Sequence, residues 1–163
     1  MKIIPLTQGY EALVDDEDFE FLLNLCSWQA HPKGNTVYAQ SKINGKHIKM
    51  HRVIMEKYNP GFKGQIDHID GNGHNNQHSN IRIATNSQNQ ANRGPNSNNI
   101  SGYKGVSWEQ KNQKWRAQIC YQGTKSHLGL YNTAKEAALV YDAAAWSLWK
   151  DYSRLNFPEE LGK

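Results

Sequence analysis

The residues able to do chemistry are concentrated between positions 66 and 90. Asp67 and His68 are neighbours, Asn80 follows His68 by twelve positions and Asn89 by twenty-one, with a Gly- and Asn-rich loop between the first pair and the rest. Asp67 offers hard oxygen ligands of the kind Mg²⁺ takes. His68 is neutral near pH 7 and can take a proton from water. On a strand, neighbouring side chains point to opposite faces, so the two cannot share one job; one division open to them is metal ligand and general base. Asn89 can bring an amide oxygen to the same metal, and Asn80 can bond to the imidazole and fix its tautomer. Holding a divalent ion and activating a water are both needed to cut a phosphodiester.

Other candidates carry less. His74 and His78 read as exposed loop histidines rather than extra ligands, and His51 as structural or phosphate-facing rather than catalytic. Asp70-Gly71-Asn72 resembles the start of a calcium loop but lacks the acid that closes such a site. Asp15-Asp16-Glu17-Asp18 reads as a helix start, since carboxylates stabilise the positive end of the helix dipole.

The elements that must position the 66–90 groups are legible in the pattern. Strand and turn are expected over 3–14, then a helix whose apolar stripe is Phe19, Leu22 and Leu23. Trp28 opens an alternating stretch, and Asn44-Gly45 between two alternating runs predicts a hairpin. A short helix is expected from His51 to Tyr58, ended by Asn59-Pro60-Gly61. The Asp67/His68 strand, the long loop and a strand over 80–84 follow. Thr85-Asn86-Ser87-Gln88 is a capping-box pattern that starts a short helix carrying Asn89.

Taken together, Asp67, His68, Gly71, Asn72, Asn80, Arg82 and Asn89 at these spacings resemble the HNH motif of the ββα-metal (His-Me finger) endonucleases, in the style of homing and phage enzymes. The resemblance implies that Asp67 is a metal ligand and His68 the general base. It also implies that Asn80 is the central asparagine orienting that base, and that Asn89 is the second metal ligand, in place of the final His of other branches. It further implies cleavage of DNA with one divalent metal, Mg²⁺ or another such as Mn²⁺.

A polar stretch over 94–101, with a Pro, a Gly and small residues, reads as a linker. Beyond it, strands are expected over 103–108, 114–121 and 125–130, with Gln122-Gly123 as a tight turn. Thr133-Ala-Lys-Glu136 is another capping box, opening an Ala-rich helix to about 149. Trp115, Ala117, Ile119 and Tyr121 fall on one face of the second strand; Lys114, Arg116, Gln118 and Cys120 fall on the other, with Lys125 and His127 alternating on the third. The apolar face suits a helix through Ala137, Ala138, Tyr141, Ala144, Ala145 and Leu148, and the basic face suits a DNA groove.

Tyr103-Lys-Gly-Val106, Lys114-Trp-Arg-Ala-Gln-Ile119, Leu128-Gly129, Thr133–Ala138, Tyr141-Asp142 and Leu155-Asn-Phe-Pro158 resemble the ethylene-response-factor (APETALA-type) DNA-binding domain over 102–158. By that resemblance Lys104 stands where the family has a DNA-contacting Arg. Gln118 replaces a contacting Glu, Lys125 a contacting Arg and His127 a contacting Trp. Ser107 and Glu109 replace two further arginines, so DNA binding carries over while the plant family's preferred sequence does not.

The expected fold class is α+β. Residues 1–93 form a ββα-metal nuclease domain, 94–101 a linker, and 102–158 a three-stranded antiparallel sheet packed on one helix. The net charge of +4 leans mildly toward polyanions. Its distribution says more, since Lys104, Lys111, Lys114, Arg116 and Lys125 face Glu109 alone across 102–127. Cys26 and Cys120 stand in different segments, which argues against a disulfide scaffold or a cysteine-held zinc. No apolar run approaches the ~18 residues of a membrane span, and no signal peptide is evident, so the cytoplasm of a bacterium or phage-infected cell is expected. The expected partner is double-stranded DNA, with Arg93 on a phosphate, and the expected state a monomer or a DNA-induced dimer. The alternative is a non-catalytic, sequence-specific DNA-binding protein or transcriptional regulator.

Overall fold

The computed structural model describes residues 1–162 and is mixed α and β, with several small sheets and four α-helices. The chain divides into two compact units, Met1–Thr85 and the residues from Asn86 on. Among the described residues no helix is long and apolar enough to cross a membrane.

In the first unit β1 (Lys2–Pro5) pairs antiparallel with β2 (Glu11–Val14), and α1 (Asp16–Leu25) follows. Asp15 stands at the N-cap with Asp16, Glu17 and Asp18 in the first turn, as the charge run implied. Leu22 is fully buried, but Leu23 is exposed and Asp18 is buried instead. Asp18 turns inward because Lys57 Nζ, Tyr58 Oη and His78 Nε2 converge on its carboxylate at 2.7, 3.0 and 2.6 Å. A hydrophobic stripe alone could not anticipate that network. β3 (Gln29–Lys33), β4 (Thr36–Ile43) and β5 (Lys46–Lys49) form an antiparallel sheet, with Asn44-Gly45 turning the β4–β5 hairpin. α2 (Met50–Tyr58) leads to β6 (Gln65–His68), which pairs antiparallel with β7 (Ile81–Ala84). Ile4, Val14, Leu22, Trp28, Met50 and Ile54 are among the residues that fill the core.

The second unit begins with α3 (Asn86–Asn92). β8 (Val106–Glu109), β9 (Lys114–Tyr121) and β10 (Thr124–Tyr131) form an antiparallel sheet with β9 central, and α4 (Ala134–Trp149) packs on it. The Thr133/Glu136 capping box opens α4, with both reciprocal bonds made. Ala137, Ala138, Tyr141 and Ala145 are buried, while Leu148 is exposed and Trp149 takes the inward place. The Trp149 indole donates to Ser87 Oγ at 2.9 Å, which ties α4 to α3.

Two glycines shape this unit. A Cβ on Gly105 would stand 1.9 Å from the Tyr141 ring, so only glycine admits that close approach. Gly129 has φ +132° and sits where the β9–β10 register slips between His127 and Gly129. The slip interrupts the simple alternation, so Leu128 packs into the core while Leu130 stands opposite Arg116.

Candidate active site and nucleic-acid interface

β6 places Asp67 and His68 side by side, both buried. Asp67 is the cross-strand partner of Arg82, whose Nε and Nη2 both donate to Asp67 Oδ2, at 3.0 and 2.9 Å. His68 faces a different environment. Its ring lies edge-on to that of His51 with centroids 4.9 Å apart and to that of Tyr38 at 5.8 Å. Lys49 Nζ lies 3.8 Å from the Tyr38 ring centre.

Burial holds His68 below its ordinary pKa, against the opposing pull of the Asn76 bond and the Asp70 and Asp67 carboxylates. Burial pushes His51 down further, helped by repulsion from His68, Lys49 and Arg52. The neutral imidazole is the form that can accept a proton.

Asn76 is the amide that meets this imidazole. Its Oδ1 lies 3.4 Å from His68 Nε2, a long contact, and it is almost wholly buried. Asn76 Nδ2 donates to the His74 carbonyl at 3.0 Å, which fixes the amide's orientation and so points Oδ1 at the ring. The loop is strapped to β2: the backbone N–H of Asn76 donates to Leu13 O at 2.8 Å, and that of Leu13 to His74 O at 2.9 Å.

Asn80 is buried close by, but its side chain organises the loop. Its Oδ1 accepts from the Asp70 N–H at 3.1 Å, and its Nδ2 donates to Asp70 Oδ1 at 2.9 Å and Asn75 O at 2.8 Å. Asp70 also accepts from Asn72 N and Asn75 Nδ2, so it is the hub of a turn and not a metal loop. Asn89 is carried by α3, in the second unit.

Sequence reasoning passed over Asn76, whose only available signal was its place in the Asn-rich loop. It read His51 as structural or phosphate-facing, and the structure packs that ring edge-on to His68.

His74 and His78 are half-buried rather than exposed. His74 Nδ1 is buried without a hydrogen-bond partner. His78 pairs with Asp18 at 2.6 Å and lies 3.7 Å from Glu17. Glu17, Asp18 and His78 are close enough to surround an ion. The Lys57 ammonium already sits 2.7 Å from Asp18, and the group reads as an ion-pair clasp between α1, α2 and the loop. Burial pushes the Asp18 carboxyl up, but bonds from Lys57, His78 and Tyr58 outweigh it and hold it below its ordinary value.

On the second unit's sheet, strand pairing places Gln118 opposite His127 and Cys120 opposite Lys125. Lys114, Lys125 and His127 are exposed, and Gln118 is half-buried. Arg116 is already engaged: its Nη1 donates to Glu109 Oε2 at 3.2 Å and its Nη2 to Ser107 Oγ at 3.4 Å. Lys104 points inward, its ammonium donating to the Ala91 carbonyl and, at 3.5 Å, to that of Gln90. Arg93 is exposed.

An acid and a buried imidazole on one strand are followed along the chain by an amide-rich loop, a strand and a helix. The chain belongs to the HNH endonuclease family, whose model matches residues 49–91, the stretch holding Asp67, His68, Asn80 and Asn89. It is 33% identical over 100 residues to Protein 3.8 of Escherichia phage T7, across 61% of this chain and 81% of that protein. An uncharacterized HNH endonuclease of Acanthamoeba polyphaga mimivirus is 32% identical over 129 residues, 76% of this chain and 64% of that one. A 59-residue stretch is 46% identical to Dehydration-responsive element-binding protein 2E of Arabidopsis thaliana, covering 30% of this chain and 24% of the plant protein. The chain thus spans about a quarter of that plant relative. No solved structure matches the chain.

Proposed function

We propose that the chain is a metal-dependent DNA endonuclease of homing or phage type, with residues 1–93 as the cutting domain, 94–101 as a linker and 102–158 as a DNA-positioning domain. The observation that carries this reading is the buried His68 imidazole, set by Asn76 on one side of β6 with Asp67 on the other, within the stretch that matches the HNH model. Asp67 and Asn89 supply a carboxylate and an amide oxygen. Both are hard donors that suit Mg²⁺ or Mn²⁺. When bound, the ion would polarise the phosphate and stabilise the leaving oxygen.

His68 does the proton work. Its neutral imidazole is the form that takes a proton from the attacking water, with Asn76 Oδ1 at 3.4 Å from Nε2. Asn80 acts one step back, by holding the loop that carries Asn76. β6, β7 and α3 are the strands and helix of the ββα-metal unit in this reading.

Exposed Lys114, Lys125 and His127, with Gln118 between them, form the groove-facing surface of the sheet, and Arg116 contributes within its pairing to Glu109. The similarity to a plant protein named for binding a response element supports that role. The partner is double-stranded DNA in a bacterial or phage-infected cell, met by a monomer that nicks or by two copies that cut both strands.

The pairing of Asp67 with Arg82 favours one alternative, a non-catalytic DNA-binding protein whose acid is spent on its own fold. Incubation of supercoiled plasmid with the protein in Mg²⁺ and in EDTA separates the two. Nicked or linear product in Mg²⁺ alone is expected. Intact plasmid with every divalent ion tried would leave the alternative standing.

A further inference from the structure

Three cations gather around one cleft of the second unit. The cleft has a volume of about 260 Å³, and Gln90, Arg93, Asn96, Asn99 and Lys104 are among its lining residues. Gly94 also lines it, and a Cβ there would stand 3.8 Å from Arg154 Cζ, so the guanidinium of Arg154 lies over that wall. The backbone N–H of Arg154 donates to Ala91 O at 3.1 Å, the same carbonyl that receives the Lys104 ammonium. Both cationic residues are thereby fastened to the end of α3, next to Arg93.

This clustering is only partly compensated. Burial pushes Lys104 down to about 8, and Arg154 and Arg93 add repulsion that Asp142 only partly offsets. Asp142 is buried and occupied, accepting from the Asn156 and Phe157 backbone N–H groups and from the Asn156 amide. Among the described residues no ion pair joins Arg93 or Arg154 to an acid. Like charges held around an open polar cleft are relieved by an anion, and guanidinium forks match the oxygens of a phosphate.

We propose that this cleft is a phosphate-binding subsite that takes a backbone phosphodiester of nucleic acid, with Arg93 and Arg154 as its arms and Lys104 as its floor. The subsite is separate from the basic face of β9 and β10. It rests on the reading of the chain as a DNA-acting protein, and it adds Arg154, which no motif singled out, as a residue that fixes where the strand runs. The loop that reads as a linker is then part of a binding surface, because Asn96, Asn99 and Gly94 build its wall.

The test measures binding of the full-length chain to a mixed-sequence duplex by fluorescence anisotropy in EDTA across a salt series, for wild type, Arg93→Gln, and Arg93→Gln/Arg154→Gln. Each lost phosphate contact lowers the slope of log K against log salt by about 0.9, so the double variant should be flatter by about 2 and bind roughly tenfold more weakly at low salt. Its thermal midpoint should match wild type. If it does not, Arg93→Gln alone, at an exposed side chain, should be flatter by about 1.

Lys125→Gln serves as the sheet-face control. Wild-type binding with no salt dependence would overturn the DNA-acting reading itself. Wild-type binding that responds to salt and to Lys125→Gln, with both arginine variants unchanged in slope, would overturn the subsite alone. In a parallel arm, inorganic phosphate is titrated into labelled wild type. Shifts of the Gly94 and Asn99 amides without any slope change in the variants would mark a free-anion site and overturn the nucleic-acid assignment.

Discussion

Around His68 the side chains that matter are buried and polar, whereas on the face of β9 and β10 they are exposed and stand on an apolar sheet. The 69–80 loop has no regular ladder to hold it. Asp70, Asn75, Asn76 and Asn80 hold it through side-chain bonds, with two backbone straps to β2. Each such bond contributes on the order of 1 kcal/mol net, so one substitution can shift the base. The sheet face is placed by backbone pairing, and its side chains can change without moving their neighbours. A cutting site built in the first way tolerates little change; a binding face built in the second can be retuned residue by residue.

The sharpest break in that comparison is His68→Ala. Loss of a general base costs typically ~10²–10⁴-fold in rate, and the expected plasmid-cutting rate falls by that much while anisotropy shows unchanged DNA affinity. A variant that cuts as fast as wild type would remove His68 from the reaction.

Gly105→Ala attacks the other region at its scaffold. The new Cβ would fall 1.9 Å from Tyr141 at a backbone of φ +78°, and steric overlap and strain together should cost about 3 kcal/mol or more. Urea unfolding followed by tryptophan fluorescence reads this loss. A stability within 1 kcal/mol of wild type would mean that the helix can lift off the sheet, and that the close packing is not what sets the face.

These two regions were also unequally legible in the sequence. β9 over 114–121 and α4 over 134–149 stand where periodicity and the Thr133 capping box predict them, because both signals are local. What alternation could not show was the slip at Gly129, which depends on backbone conformation, or the inward turn of Lys104 onto α3 carbonyls, which depends on a partner thirteen residues away. In the 66–90 stretch the chemistry-bearing types were plain, and their partners were not. Nothing in spacing says that Asn76, rather than Asn80, faces the imidazole, or that His51 packs on it from α2. Such contacts are set by tertiary packing of groups far apart in the chain. Likewise, α3 reads as the end of a nuclease motif, but Ser87 and Ala91 tie it to α4 and Arg154.

The two asparagines sharpen the comparison at a smaller scale. Asn76→Ala should slow cutting by roughly tenfold at saturating DNA, the usual scale for losing a group that orients a functional histidine. Asn80→Ala strips Asp70 and Asn75 of their partner and should cost about 2 kcal/mol in stability, with cutting reduced only as far as the loop loosens. Rates and urea midpoints measured on both decide it. If Asn80→Ala loses rate at full stability while Asn76→Ala keeps it, Asn80 is the residue that sets the base.

The smallest expected effect lies on the sheet. Arg116 shares its charge with Glu109 at 3.2 Å, while Lys125 is exposed. Arg116→Ala removes a cation but leaves Glu109 as an unpaired anion facing phosphate, and Lys125→Ala removes a cation with no such residue, flattening the salt slope by about 1. Glu109→Gln is the informative variant. It keeps the size of the side chain and an oxygen for Arg116, and it releases the guanidinium's charge to DNA. Affinity at low salt should rise a few-fold, about 0.5–1 kcal/mol, the usual scale of a surface pair. The gain should be smaller in the Arg116→Ala background, where it comes from the loss of Glu109 repulsion alone and no guanidinium is released. An equal gain in both backgrounds would assign the effect to simple loss of Glu109 repulsion, and the face would then act as a diffuse patch rather than as a set of placed contacts.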